Sequence, residues 1–143
     1  MNDNYYMLLA ITVASLSDCI RRKVGAIIVK NNIVVSMGYN KPPKGAKLCS
    51  EVGCVREKLN IVSGEQGDLC RAVHAEQNAI LHAAKLHKDI KGATIYVTSS
   101  PCNTCAKLLI EAGITEIVYD EKYNDALADE LFKEVNINCR KTN

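Results

Sequence analysis

A strand–helix–strand unit is predicted near one end of the chain by the stretch ITEIVYDEKYNDALADELFKEVNINCR, residues 114–140. Residues 114–119 and 136–140 are predicted as strands, and residues 125–135 as the helix between them. The apolar residues that indicate this helix are Leu127, Leu131 and Val135. A helix of this length suits a crossover connection, so the two strands are expected to run parallel if they are adjacent.

Helices and strands are also predicted in the rest of the chain. Helices are predicted over 3–17, 74–87 and 102–112, and strands over 23–30, 33–39 and 93–98. The Asn31-Asn32 pair between the first two strands suits a tight hairpin, because Asn tolerates positive φ. Gly113 is a good C-terminal cap for the helix before it. These elements predict an α/β fold, a three-layer α/β/α sandwich with a mixed five-stranded sheet whose last two strands are parallel.

Apolar residues at helical spacing predict the face that each helix turns to the core. In helix 3–17 they are Tyr5, Leu8, Leu9 and Leu16. In helix 74–87 they are Ala75, Ala79, Ile80, Ala83 and Leu86.

Composition limits the classes of function. The 143 residues suit one domain, 1–143, and the 48% hydrophobic content is that of a soluble globular protein. A net charge of +2 is too small to predict a nucleic-acid partner. No apolar run approaches the ~20 residues of a membrane span, and the basic-then-apolar layout of a secretory signal is missing. A cytoplasmic protein is therefore expected.

Two short motifs carry the chemistry: His74-Ala75-Glu76 and Pro101-Cys102-Asn103-Thr104-Cys105. His74, Cys102 and Cys105 supply one imidazole and two thiols to a metal. Three protein ligands on zinc leave a fourth position for water, as in catalytic rather than structural zinc sites. We therefore expect a catalytic zinc site at the carboxyl end of the strand that stops at Ser99.

Glu76 is the predicted proton shuttle of this site. Zinc lowers the pKa of a bound water to about 7, and a carboxylate beside the metal can move the proton of that water. On the first turn of a helix, Glu76 can lie near the metal without binding it. Cys102 and Cys105 open another helix, whose N-terminal dipole favours thiolates.

A second metal site is predicted from the seven cysteines. Four of them flank or lie within the long irregular stretch between Asn40 and His74: Cys19, Cys49, Cys54 and Cys70. In a reducing compartment, four thiols on one loop suggest a structural zinc site, although their spacing is not the common C-x₂-C pattern. Disulfides are the alternative in an oxidising environment. Cys139 is expected to be an ordinary free cysteine.

The Arg21-Arg22-Lys23 cluster has two interpretations. A solvated strand edge is the simpler one, and phosphate binding is the alternative.

The chain resembles the deoxycytidylate (dCMP) deaminases of the cytidine deaminase superfamily over nearly its whole length. The signature H-x-E…P-C-x-x-C is that of zinc-dependent nucleobase deaminases. The supporting segments are CIRRKVGA (19–26), GYN (38–40), RAVHAEQNAI (71–80) and SPCNTCAK (100–107). The resemblance implies a cytidine deaminase-like fold and hydrolytic conversion of dCMP to dUMP and ammonia. It also implies catalytic zinc on the three ligands above, Glu76 as proton shuttle and a second, structural zinc on the four loop cysteines.

The resemblance also implies substrate contacts and partners. The turn Gly38-Tyr39-Asn40 would hold the sugar and phosphate end of the nucleotide, and Tyr123 would lie on the base or phosphate side. The full set of candidate contacts is Asn40, Lys41, Val73, Ala75, Ser99 and Tyr123. Family members of this kind are commonly hexamers regulated by dCTP and dTTP, so a homo-oligomer, hexamer or dimer, is expected.

One residue departs from the family pattern. The turn usually reads Gly-Tyr-Asn-Gly, and Lys41 replaces the last glycine. Lysine adopts positive φ less freely and adds a charge near the expected phosphates, which puts dCTP regulation in doubt more than catalysis. Lys41 could equally strengthen phosphate binding, held by the rigid Pro42-Pro43 that follows.

Two other functions are compatible with the motifs. A related deaminase could act on adenosine in tRNA, on guanine or on a free cytidine nucleoside, although a tRNA substrate calls for a more basic surface. A non-enzymatic nucleotide-binding or DNA-uptake accessory protein could retain the fold, but the intact Glu76 argues against it.

Overall fold

The computed structural model of the protein describes residues 2–62 and 64–143. The helices are α1 (Asp3–Ala14), α2 (Cys49–Val52), α3 (Val55–Lys58), α4 (Ala75–Lys85), α5 (Asn103–Glu111) and α6 (Ala126–Glu134), with a 3-10 helix at Gly67–Leu69. The strands are β1 (Gly25–Lys30), β2 (Ile33–Tyr39), β3 (Thr94–Ser99), β4 (Glu116–Glu121) and β5 (Asn138–Lys141).

The five strands form one mixed sheet in the order β2-β1-β3-β4-β5. β1 runs antiparallel to both of its neighbours, whereas β3, β4 and β5 are parallel. Ile117 of β4 lies opposite Ile95 of β3 and Cys139 of β5. The predicted parallel pairing of the last two strands is confirmed.

The β1–β2 hairpin has the predicted turn. Asn31 and Asn32 have φ of 52° and 61°, the positive values that a type I′ turn requires at both central residues.

Successive side chains of the central strands enter two different cores, because a strand alternates its faces. Ile28 and Ile95 pack with the small residues of α4 and α5 and with Phe132 of α6. Ile27 and Tyr96 pack with α1 on the opposite face. The sheet is therefore covered on both sides, which confirms the predicted three-layer sandwich.

Of the four residues predicted to form the buried face of α1, only Leu9 packs against the core. Tyr5, Leu8 and Leu16 are exposed at 54%, 62% and 63%. The buried residues are Tyr6, Met7, Ala10, Val13 and Ala14. Because α1 is apolar on every side, the spacing of its apolar residues does not predict which face is buried. Close packing against the sheet determines the buried face. A Cβ on Gly25 would lie 2.0 Å from the Ala10 carbonyl oxygen, so β1 and α1 meet where both side chains are small.

Two further core predictions are corrected in the other layer. In α6, Leu127 and Val135 are exposed, and Ala128 and Phe132 are buried instead because the large ring of Phe132 fills the core. Leu86 is exposed, since α4 ends at Lys85 and the chain turns away from the sheet.

A glycine contact brings α4 against the sheet. A Cβ on Gly38 of β2 would lie 2.4 Å from the Ala79 backbone nitrogen and 2.5 Å from the Ala75 carbonyl oxygen. Only glycine allows the strand and helix backbones to approach this closely. The first turn of α4, which carries Glu76, is thereby held at the sheet surface.

Among the described residues, no helix has both the length and the hydrophobicity needed to cross a membrane.

Candidate active site

His74 occupies the N-cap position of α4. Its backbone N–H donates to Gln77 Oε1 at 2.8 Å, which satisfies one of the free donors at the helix start. The Asn78 amide donates to the Tyr39 carbonyl at 2.7 Å and ties this first turn to the end of β2. The backbone that carries the imidazole is therefore fixed from both sides.

The two thiols come from the segment after β3. Cys102 is the N-cap residue of α5, and Cys105 is completely buried in its first turn. The backbone N–H of Asn103 donates to Asp125 Oδ2 at 2.8 Å, and Asp125 also caps α6 through the Ala128 N–H at 3.2 Å. One carboxylate thus holds the starts of α5 and α6 together beside the site.

The three predicted ligands converge. His74 Nδ1 lies 3.5 Å from Cys102 Sγ and 3.2 Å from Cys105 Sγ. Ligands on a tetrahedral zinc, with Zn–N near 2.0 Å and Zn–S near 2.3 Å, stand about 3.5 Å apart. The donor set and its spacing therefore fit zinc.

The charge of one of these donors, Cys102, favours a metal cation. Hydrogen bonding to Cys105 lowers the pKa of the Cys102 thiol to about 4, and His74 contributes in the same direction. The hydrogen bond to Cys102 raises the pKa of His74. Cys102 is consequently a thiolate, the form that binds zinc.

Glu76 lies beside the ligands without being one of them. It is only 5% exposed, and its carboxyl group contacts the Cys105 thiol. Burial raises the pKa of Glu76 to about 7. A carboxyl group with such a pKa can both accept and donate a proton near neutrality.

The ligands and Glu76 line a cavity of about 570 Å³, a size common for small-molecule sites. Four of the predicted substrate contacts also line it: Asn40, Ala75, Ser99 and Tyr123. A half-buried imidazole, a half-buried thiol, a buried thiol and a buried carboxyl group therefore share one small-molecule cavity.

Residues 1–121 match the family model of the cytidine and deoxycytidylate deaminase zinc-binding region. The chain belongs to the cytidine and deoxycytidylate deaminase family. Within the described residues, His74, Cys102 and Cys105 are the one group of three or more His, Cys, Asp or Glu donors that lie within 4.8 Å of one another. They are therefore the group that fits the zinc of the matched region.

Individual relatives agree with this assignment. The chain is 41% identical to a deoxycytidylate deaminase of Mycobacterium phage D29, over 84% of this chain and 94% of the relative. It is 38% identical to a deoxycytidylate deaminase of Schizosaccharomyces pombe, over 85% of this chain but only 38% of the longer relative. A solved structure of dCMP deaminase from cyanophage S-TIM5 in complex with dCMP and dUMP has 30% sequence identity and a TM-score of 0.82, and the match covers 97% and 95% of the two chains.

Asn40 lines the cavity, but its side-chain amide already forms hydrogen bonds with the backbone. Oδ1 accepts from the Val24 N–H and Nδ2 donates to the Arg22 carbonyl, both at 2.8 Å. Lys41 and Val73 are not among the residues that line the cavity. Their backbones pair with each other, with N···O distances of 3.1 and 2.7 Å, and so join the end of β2 to the residue before His74.

Tyr123 is held in place at the cavity wall. Its N–H donates to Ser100 Oγ at 2.6 Å, and its hydroxyl donates to the Gly64 carbonyl at 2.8 Å. The ring therefore connects the segment after β4 to the long loop.

The four loop cysteines all line the same cavity, and all seven cysteines of the chain are free thiols. Burial raises the pKa of Cys49, with Asp18 and the other three loop thiols adding to the rise. Within the described chain, however, no three of these thiols lie within 4.8 Å of one another, as the donors of His74, Cys102 and Cys105 do. The four thiols therefore lie in one region, but in this structure they do not form a complete set of metal ligands.

Three arginines that were not among the predicted site residues also line the cavity: Arg21, Arg22 and Arg56. The first two belong to the Arg21-Arg22-Lys23 cluster, for which a solvated strand edge was the simpler interpretation and phosphate binding the alternative. Arg56 lies on the four-residue helix α3 inside an irregular stretch, where no periodicity indicates its direction.

Proposed function

We propose that residues 1–143 form one zinc-dependent deaminase domain that hydrolyses dCMP to dUMP and ammonia. The observation that carries the proposal is the His74, Cys102 and Cys105 group with buried Glu76 beside it in a small-molecule cavity. The names of the relatives support the choice of substrate.

The proposed reaction assigns separate tasks to these residues. His74, Cys102 and Cys105 would hold a zinc ion, which would supply a water with a pKa lowered to about 7 as the nucleophile. Glu76 accepts one proton of the attacking water at its carboxylate and transfers it to the ring nitrogen next to the reacting carbon. It then accepts the remaining proton of the added hydroxyl group and donates it to the amine, which departs as ammonia while the ring carbonyl forms. Burial of Glu76 keeps bulk water from these transfers.

Steady-state turnover on a panel of substrates tests the proposal. The panel comprises dCMP, CMP, deoxycytidine, dCTP, guanine and adenosine, each followed by ammonia release from the zinc-loaded protein. We expect the highest kcat/KM on dCMP. A higher value on a nucleoside or a base would assign the domain to a different deaminase, and no turnover of any substrate would favour an accessory role.

We further propose that Cys19, Cys49, Cys54 and Cys70 hold a second, structural zinc. Their convergence on one region supports this, as does the chemistry of four thiols. We predict about two zinc ions per chain, and about one in the Cys54→Ser variant, with lower thermal stability. Elemental analysis of the reduced protein measures both contents.

Cys139→Ser is the matched control, because Cys139 packs at the edge of the core away from the loop thiols. It should leave the metal content unchanged. A single zinc in the unsubstituted protein, or a disulfide between loop cysteines under reducing conditions, would contradict the second site.

A homo-oligomer, dimer or hexamer, is also proposed, with the exposed face of α1 as one contact between copies. Tyr5, Leu8 and Ile11 are exposed on this face, and residues 4–17 contain no charged side chain. Such an uncharged apolar face is self-complementary, as a two-fold interface requires. Light scattering measures the mass in solution, and a monomeric mass at micromolar concentration would refute the contact.

Regulation by dCTP and dTTP stays a prediction from the family resemblance. Turnover of dCMP with and without each effector tests it, and Lys41→Gly restores the usual family turn in the same assay.

A further inference from the structure

Of the two thiols of the metal group, Cys102 is fixed less by packing. Cys105 is completely buried in the first turn of α5, and the next residue, Ala106, belongs to the core. Cys102 precedes that turn and is only partly buried. The position of its thiol therefore depends on the hydrogen bonds that hold the backbone on either side of it.

The segment before Cys102 is held by an extension of the sheet pairing. β3 and β4 pair as far as Ser99 and Glu121. The Ser100 N–H then donates to the Glu121 carbonyl at 2.9 Å. Ser100 Oγ accepts from the Tyr123 N–H at 2.6 Å and donates to the Tyr123 carbonyl at 3.1 Å. The backbone two residues before Cys102 is thereby fixed to the segment after β4.

The segment after Cys102 is held by Asp125. The first N–H groups of a helix have no partner within the helix, and the Asn103 N–H donates to Asp125 Oδ2 at 2.8 Å. An N-cap position usually carries Ser, Thr, Asp or Asn, whose side-chain oxygen accepts a helix N–H. Cys102 occupies that position in α5, with its sulfur 3.5 Å from His74 Nδ1. A carboxylate 22 residues further along the chain supplies the oxygen acceptor instead.

Asp125 is itself anchored by α6. It is the N-cap residue of that helix, and its Oδ1 accepts the Ala128 N–H at 3.2 Å. Ala128 and Phe132 are buried in the core. Asp125 is not one of the three donors of the metal group. Its two oxygens connect a helix fixed in the core to the turn that begins at Cys102.

We infer that Asp125 is a positioning residue of the metal centre, which raises the affinity for zinc by fixing Cys102. The inference rests on the proposed function and deepens it. A ligand whose backbone is already in place loses less conformational freedom on binding than one that is ordered at that moment. Groups that orient metal ligands through hydrogen bonds typically contribute about ten- to hundred-fold to metal affinity.

Asp125→Asn separates the two tasks of the carboxylate. Asparagine is a good N-cap residue, so its Oδ1 can still accept the Ala128 N–H. Its NH₂ group replaces Oδ2 and cannot accept from the Asn103 N–H. The variant therefore keeps the cap of α6 and removes the link to the start of α5.

Zinc affinity is measured at individual thiols. Each variant is equilibrated at buffered free zinc concentrations and alkylated briefly with iodoacetamide, and peptide mass spectrometry gives the labelled fraction of each cysteine. Asp125→Asn should raise the free zinc concentration that half-protects Cys102 by about ten-fold or more. Asp125→Ala, which removes both acceptors, should raise it at least as much.

Asp129→Asn is the matched control. It removes the same charge from the first turn of the same helix, where Asp129 pairs with Lys122 at 2.6 Å and does not line the cavity. It should leave the half-protection of Cys102 within about two-fold, because surface charges contribute little. Cys49, a thiol of the long loop, is read in the same samples and should respond to zinc equally in Asp125→Asn and in the unsubstituted protein.

Half-protection of Cys102 at an unchanged zinc concentration in both Asp125 variants would overturn the inference. An equal shift in Asp129→Asn, or at Cys49, would overturn it too, since charge alone or a general loss of stability would then explain the result. If zinc did not protect Cys102 in the unsubstituted protein, the zinc site of the proposed function would fail together with the inference. Protection that Asp125→Asn weakens, without turnover of dCMP, would uphold the inference while the proposed reaction fails.

Discussion

At the scale of the residue, Glu76 offers the sharpest test of the chemistry. Glutamine keeps the shape of the side chain but cannot transfer protons. General acid–base catalysis contributes typically 10²–10⁴-fold, and Glu76 would serve several transfers. We therefore expect Glu76→Gln to lower kcat on dCMP by about 10⁴-fold or more.

The control for this variant is metal content. Glu76 is not a ligand of the metal group, so elemental analysis should find the same zinc as in the unsubstituted protein. A variant that kept more than about a tenth of kcat, with zinc unchanged, would refute the role of Glu76.

At the scale of the element, the approach of α4 to β2 determines where His74 and Glu76 stand. The Cβ of a Gly38→Ala variant would meet backbone atoms of Ala75 and Ala79, which cannot rotate away. Overpacking of this kind costs about 1–3 kcal/mol or more. Urea denaturation should therefore show a clear loss of stability. The matched control is Gly67→Ala, where nothing lies within 4 Å of the added Cβ. Equal stability of the two variants would show that the close contact is not restrictive.

At the scale of the whole molecule, one polar network joins the start of the chain to its last strand. Asp3 pairs with Arg140 of β5 at 2.6 Å, and Tyr96 of β3 donates to Asp3 at 2.9 Å. Arg140 also lies 3.4 Å from Glu116 of β4. α1 is thus fastened across the sheet, on the face opposite α4 and α5.

This network predicts a dependence of stability on pH. The hydrogen bond from Arg140 holds the pKa of Asp3 below its usual value. A lowered pKa in the folded state stabilises the protein above the unfolded pKa of about 4, and this contribution is lost as the pH falls through the folded value. Asp3→Asn should therefore be less stable than the unsubstituted protein at pH 7, and the difference should shrink below about pH 4.

Urea denaturation at several pH values measures this difference. Asp89→Asn, which removes the exposed pair with Lys30, should show a smaller one, because surface ion pairs contribute little. A constant difference between Asp3→Asn and the unsubstituted protein at every pH would contradict the linkage.

The sequence alone determined the features that depend on local spacing. Turn chemistry at Asn31-Asn32 and the helix length before β5 predicted the hairpin and the parallel pair, because both follow from backbone geometry over a few residues. The candidate zinc ligands and Glu76 were predicted in the same way, since each motif places its donors on one turn of chain, and the structure brings the donors of His74, Cys102 and Cys105 within 4.8 Å of one another.

The tertiary structure decided which surfaces meet. α1 is apolar all round, and its buried face is the one that packs on the sheet, where Gly25 closely approaches Ala10. The amide of Asn40 forms hydrogen bonds with two backbone groups 16 and 18 residues away, and Arg56 reaches the cavity from a loop without periodicity. Such contacts join segments that are distant in the chain, and their energies depend on packing and burial, which no local pattern records.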